Sequence, residues 1–201
     1  MTAASQLQMN PIPEQKFVFP IRLSWEQFKT LEELFDYTRS IRLVYLDGQV
    51  EIVTVSTNRE TFKSLIACLL MMFFIEKDIS FTPTGSATLQ AEERGSSKEP
   101  DLSYRFGEER RQRNRPDLVI EIVFTSGTVK KLEYYRRFDV PEVWFWEDGV
   151  FTVYRLQEAG YEQVTASQIL PELDLGLLAQ CLQMAEEKEA MKYFRNAIQN
   201  A

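Results

Sequence analysis

Residues 115–124 read Arg-Pro-Asp-Leu-Val-Ile-Glu-Ile-Val-Phe, and this stretch decides the fold. Leu118 to Phe124 is apolar at both alternating sets of positions except at Glu121, the pattern of a central strand covered on both faces. A glutamate in such a strand is costly to bury unless it is paired or holds a metal ion. A purely structural reading has Glu121 satisfied by an arginine or a tyrosine. A functional reading makes it a ligand, and geometry then selects its partner. Asp117 shares its strand face but lies about 13 Å away, four residues at roughly 3.3 Å each. Upstream, Glu99-Pro-Asp101-Leu-Ser-Tyr104 opens a second strand in the same way. Residues opposite each other on neighbouring strands come within roughly 5 Å, so Asp101 and Glu121 can share a divalent cation. Magnesium suits such a pair, because it prefers oxygen ligands and keeps several waters. Asp117 is expected to cap the strand entry or hold a nearby arginine.

Working outward, Asp47-Gly48 sits between alternating apolar residues from Ile41 to Val55, and Asp148-Gly149 between Val143–Trp146 and Val150–Leu156. Each is a two-residue hairpin signal. Ser24 is expected to cap a helix running to Thr38, and the longest helix is expected over Thr57 to Lys77. Strands are expected at Phe81–Leu89, Glu99–Tyr104 and Leu118–Phe124, a helix at Ser126–Phe138 with Ser126 as its cap, and one exposed amphipathic helix at Ala179–Asn200. Strands alternating with helices give an α/β or α+β class, a central mixed sheet flanked by helices with β-hairpins attached. The organisation expected is an N-terminal arm of little regular structure (1–22), one domain (23–183) and a C-terminal helical extension (184–201).

Composition narrows the chemistry. The 201 residues include no histidine, which excludes Ser-His-Asp and Cys-His catalysis, histidine-bearing zinc sites and a histidine general base. Two cysteines are too few for a disulfide framework or a thiolate metal site, and Cys68 lies in the apolar run Leu65–Ile75, where burial is expected. That run of 11 residues is far short of a bilayer span. With no secretory signal read in Met1 to Lys16, a cytoplasmic protein without membrane contact is expected. The net charge of −7 argues against nucleic acid, yet Arg105 to Arg137 holds nine basic residues against five acidic ones. Arg105, Arg110, Arg111, Arg113 and Arg115 fall between the two acid-bearing strands. Such a run is by default a solvated loop, and beside a phosphodiester-cutting site it could position backbone phosphates.

A Pro-Asp strand followed by a strand with an acid two residues before a lysine is the mark of the PD-(D/E)XK nuclease superfamily, which this chain resembles. From Leu46 to Leu182 the chain more closely resembles the Uma-type family of endonucleases, filed as a domain of unknown function. The resemblance rests on Leu46-Asp-Gly48, Ser56 to Glu60, Glu99-Pro-Asp101, Pro116-Asp-Leu-Val-Ile-Glu-Ile122, Lys131 with Tyr135, Val140-Pro-Glu-Val-Trp144 and Val153-Tyr-Arg155. It implies a restriction-endonuclease-like core in which Asp101, Glu121 and the backbone carbonyl of Ile122 bind Mg2+, with Mn2+ as substitute. The superfamily lysine position is Val123, and the resemblance moves that lysine to Lys131, where the alternative is a solvated helix lysine. It also matches Glu60 to a helix glutamate that often completes these sites. Glu60 has a structural reading as well, since Thr57-Asn-Arg-Glu60 has the form of a capping box. The family frequently carries histidine after this glutamate, where this chain has Thr61.

The implied function is a Mg2+-dependent endonuclease cutting DNA, which it would bind weakly and with strong salt dependence. A homodimer is expected by the family's habit, through the Val143–Leu156 hairpin or the C-terminal helix. Two alternatives stand beside it: a nuclease-like fold kept as a binding module, and a salt-bridge network joining the acids to the loop arginines.

Overall fold

The computed structural model describes residues 15–35, 37–38, 40–124 and 128–200. In chain order these form β1 (Lys16–Val18), α1 (Trp25–Phe35), β2 (Ile41–Leu46), β3 (Gln49–Thr54), α2 (Thr57–Glu76), β4 (Phe81–Pro83), β5 (Leu89–Ala91), β6 (Ser96–Lys98) and β7 (Leu102–Phe106). They continue with β8 (Leu118–Val123), α3 (Thr128–Arg136), β9 (Glu142–Glu147), β10 (Val150–Gln157), β11 (Gly160–Val164), α4 (Leu175–Leu182) and α5 (Glu187–Gln199). One sheet has the order β1-β3-β2-β6-β5 and the other β11-β10-β9-β8-β7-β4. The fold is mixed α/β, as expected. In the larger sheet β8 runs parallel to β9 and antiparallel to β7.

Every residue of β8 is buried, which is what its two-sided apolar pattern requires. Leu118, Ile120 and Ile122 pack with Ile66, Leu69, Leu70 and Phe73 of α2 and with side chains of α4 and α5. On the opposite face Val119 and Val123 pack with Leu132 and Tyr135 of α3. Glu121 alternates onto this second face. Both hairpins form where Asp-Gly predicts them: Asp47 and Asp148 have φ of 46° and 49°, and Gly48 and Gly149 have φ of 88° and 80°. Two consecutive positive φ angles define the turn that matches strand twist, and Asp-Gly adopts it at low cost. Ser24 caps α1 reciprocally with Gln27, its hydroxyl accepting the Gln27 N–H while the Gln27 side chain accepts the Ser24 N–H.

Several expectations need correction. The described part of the N-terminal arm contributes one short strand, β1, antiparallel to β3. Phe81–Leu89 is two short strands interrupted by Gly85 at φ 58°, and β6 and β11 were not anticipated. The strand expected to begin at Glu99 begins at Leu102. Helix α1 ends at Phe35, before Thr38. The single C-terminal helix is two, with Asp174 capping α4 through the Gly176 and Leu177 N–H groups. Helix α5 is exposed on much of its surface, as expected, while Ala190, Phe194 and Ile198 form a buried stripe against the main core. Cys68 is half-buried rather than buried, and Cys181 is buried. On the hairpin and the C-terminal helix, Val143, Trp144 and Phe145 are buried within the chain, while Val150 and Tyr193 are exposed. Ser126 lies outside the described residues. No helix among the described residues is long and apolar enough to cross a membrane.

Candidate active site

Asp101 and Glu121 come together as their strand positions predict. Leu102 pairs with Ile120, and one further step along the antiparallel register sets Asp101 beside Glu121. Both carboxylates are buried, at 0% and 2% exposure. Asp101 follows Pro100 at the crossing from β6 to β7, so the two sheets meet at this point. The smaller sheet supplies Arg42 from β2 and Lys98 from the end of β6. Helix α2 supplies Arg59 from its first turn, and α3 supplies Lys131 and Tyr135.

Each carboxylate is held by cations and by a neutral donor. Asp101 Oδ1 accepts from Arg42 Nη1 at 2.6 Å. Its Oδ2 accepts the Ile122 N–H at 2.8 Å and also a hydrogen bond from Arg59 Nη1. The same Arg59 nitrogen donates to the Ile122 carbonyl. Glu121 Oε1 receives Lys98 Nζ at 3.1 Å and the Tyr135 hydroxyl, and its Oε2 receives Lys131 Nζ at 3.2 Å. Four cations therefore surround two acids. Burial by itself would raise the Glu121 carboxyl, but Lys98, Lys131 and the Tyr135 hydroxyl outweigh it and hold the group well below the usual carboxylate range. Burial pulls the Lys98 ammonium below its ordinary value in spite of Glu121, and pushes the Tyr135 hydroxyl well up. The purely structural reading of Glu121 foresaw a tyrosine partner, and here that tyrosine acts together with two lysines.

The remaining predicted residues are placed as follows. Lys131 reaches Glu121 and is not a freely solvated lysine, whereas its neighbour Lys130 turns away to Glu51 and Gln49. Val123 is buried against Leu132, so the ammonium comes from α3 and not from β8. The capping-box reading put the helix cap at Thr57. The cap is Ser56, whose hydroxyl accepts the Arg59 N–H, because the helix starts one residue earlier than that reading assumed. The Glu60 side chain, 47% exposed, stands at the rim with Arg42 Nη2 at 3.4 Å and Lys63 Nζ at 3.5 Å. Thr61 is exposed, and the residue that α2 sends inward is Arg59.

Asp117 is a strand-entry residue as expected, accepting the Phe106 N–H at 2.7 Å and pairing with Arg113. The loop arginines are not at the site. Their loop joins the end of β7 to the start of β8, roughly 17 Å along β7 from Asp101. Arg105, Arg110, Arg113 and Arg115 bond backbone carbonyls or Asp117 there. The acids at the site are therefore networked with arginines and lysines of other elements, which corrects the loop-network reading.

Arg42, Arg59 and Lys98 were missed by sequence reasoning. A signal existed for Arg42, since strand alternation puts it on the same face as the buried Val44. Lys98 adjoins Glu99-Pro-Asp101, and Arg59 lies inside the quoted Ser56–Glu60 segment. Only the meeting of two sheets and two helices shows that all three converge.

A cleft of about 50 Å3 opens onto the cluster, lined by Arg42, Arg59, Lys98, Glu121, Lys131 and Tyr134 among others. That is room for an ion with a few waters, not for a nucleotide. Beside it lies an open groove of about 860 Å3 that shares Arg42, Glu60 and Glu99 with the site. The donor set fits magnesium in kind: two carboxylates and a carbonyl, all oxygens. Asp101 Oδ2 and the Ile122 carbonyl also converge on one point, since both accept from the same nitrogen. Among the described residues there is no group of three or more His, Cys, Asp or Glu side chains able to hold a metal, so the remaining ligands would be water. Compared with known proteins, residues 25–185 match the model of a family, Uma2, described as a putative restriction endonuclease. No curated protein matches the chain.

Proposed function

The chain belongs to the Uma2 family of putative restriction endonucleases, and on that premise we propose that it hydrolyses phosphodiester bonds in DNA with the help of Mg2+, or Mn2+ in its place. The observation that carries this reading is the pair of buried acids, Asp101 and Glu121, side by side on adjacent strands with Lys131 on the second. Asp101, Glu121 and the Ile122 carbonyl would hold the metal, which when bound polarises the phosphate and lowers the pKa of a coordinated water. The chain's own groups do the rest. Lys131, one-fifth exposed at its side chain and fixed by Glu121, points an ammonium into the cleft where it can orient the attacking water. Arg42 and Lys98 supply positive charge against the scissile phosphate. Glu60, at the rim and paired with Arg42, orients that guanidinium and makes no contact with the buried acids. With a net charge of −7 overall, DNA is held weakly and in a strongly salt-dependent way, by the local field of this cluster.

A second reading, a nuclease-like fold acting as a binding module, is favoured by one observation: both carboxylates are already paired with the chain's own cations. One assay separates the two. Wild type is expected to nick supercoiled plasmid in Mg2+ or Mn2+ but not in a chelator. Glu121→Gln and Lys131→Met, with folding verified by circular dichroism, are expected to lose nicking by at least two orders of magnitude. Equal cleavage by wild type and both variants would overturn the assignment, and absence of cleavage with retained DNA binding would favour the module.

A further inference from the structure

The point proposed above for the metal already holds a cation. Arg59 Nη1 donates to Asp101 Oδ2 and to the Ile122 carbonyl, two of the three oxygens assigned to the divalent ion. The guanidinium is not a surface group that has wandered in. Its side chain is 5% exposed, it leaves the first turn of α2 directly beneath the Ser56 cap, and its carbon stands 5.7 Å from the centre of the Phe124 ring. A buried arginine persists only when its charge is compensated, and Asp101 contributes to that compensation. A dication cannot use the same oxygens at the same time, because it would sit within bonding distance of a like charge in a water-poor site.

We infer that Arg59 is a tethered competitor for the divalent cation: the resting site is closed by its guanidinium, and a metal binds only as Arg59 leaves Asp101 and Ile122. The inference rests on the metal-dependent reading above and extends it. The other cations do not play this part. Arg42 takes the opposite oxygen of Asp101, and Lys98 and Lys131 sit on Glu121. The consequence is a site whose metal affinity is set by this arginine. An incoming phosphate, which arginine binds in forked fashion, is the natural ligand to draw the guanidinium off.

The test uses Mn2+ alone as probe, with calorimetry or electron paramagnetic resonance on the full chain and no turnover. Arg59→Gln is expected to bind Mn2+ more tightly than wild type, on the order of tenfold or more. Adding Asp101→Asn to that variant is expected to abolish the gain. Thermal unfolding supplies an independent readout. In chelator Arg59→Gln is expected to melt below wild type, and Mn2+ is expected to raise its melting temperature more than that of wild type, because a ligand stabilises the state it binds. A merely structural arginine would give the first effect without the second. Equal Mn2+ affinity in wild type and Arg59→Gln, lost on Asp101→Asn, overturns the Arg59 assignment and leaves the metal-dependent reading standing. No Mn2+ binding by either protein overturns both. Should Arg59→Gln not fold, Arg59→Lys serves instead: its ammonium is a point charge with shorter reach, a smaller gain in Mn2+ affinity is expected, and affinity no higher than wild type overturns the proposal.

Discussion

Glu142 is a buried acid held by neutral donors. It opens β9 at 1% exposure and accepts three hydrogen bonds, from Trp144 Nε1 at 2.6 Å, Ser167 Oγ at 2.6 Å and the Gln168 N–H at 3.0 Å. Unlike Glu121 it has neutral donors around it, which tie the turn before α4 to the sheet. Removing the carboxylate leaves two buried donors and one partly buried donor without an acceptor. Glu142→Ala is therefore expected to lower stability by about 2–4 kcal/mol, and Glu142→Gln by less, since its shape and one acceptor remain. Denaturant midpoints measure this, and a change below roughly 0.5 kcal/mol for the alanine variant would show that the network does not hold the turn. The same signature, an acid in an apolar strand, flagged Glu121 in the sequence. It could equally have flagged Glu142 in Val140-Pro-Glu-Val-Trp144. The sequence alone does not show which buried acid meets lysines and which meets an indole and a hydroxyl.

Between elements, Glu51 carries the clearest case. This residue of β3 is buried and bridges Lys16 of β1, at 2.7 Å, and Lys130 of α3. Burial would raise its carboxyl, but Lys130 and Lys16 prevail and hold it below its ordinary value. A depressed carboxyl adds stability that is present in full above the unfolded value of about 4.3 and is lost as pH falls toward the folded value. The stability difference between wild type and Glu51→Gln is expected to be greatest near about pH 6 and to shrink on acidification to about pH 3, followed by denaturation at each pH. A difference constant across that range would show that the bridge contributes nothing. Elements were legible to the degree that their signals were local. Asp-Gly turns, the Ser24 cap and the long apolar α2 need no partner to be read. Strands β6 and β11 are short and polar, and exist because neighbouring strands complete their hydrogen bonds.

Across the molecule, the end of the chain closes the core begun by α2. Phe194 is fully buried among residues of α2, α4 and the central sheet, more than a hundred positions from its α2 neighbours. Phe194→Ala is expected to cost roughly 3–5 kcal/mol, because it leaves a cavity in the core. A thermal shift of less than a degree or two would show α5 to be an ornament. The two-sided apolar pattern of residues 118–124, the Pro-Asp strand openings, the hairpins and the absence of histidine are properties of the sequence by itself. They determined the α/β class, the central strand and the acid pair, because alternation and turn chemistry act within a few residues. Beyond Lys131, which the resemblance already pointed to, the cations that meet those acids were decided by tertiary structure. Arg42, Arg59 and Lys98 come from β2, α2 and β6, and the compensation of a buried charge depends on distance in space, which no local pattern encodes.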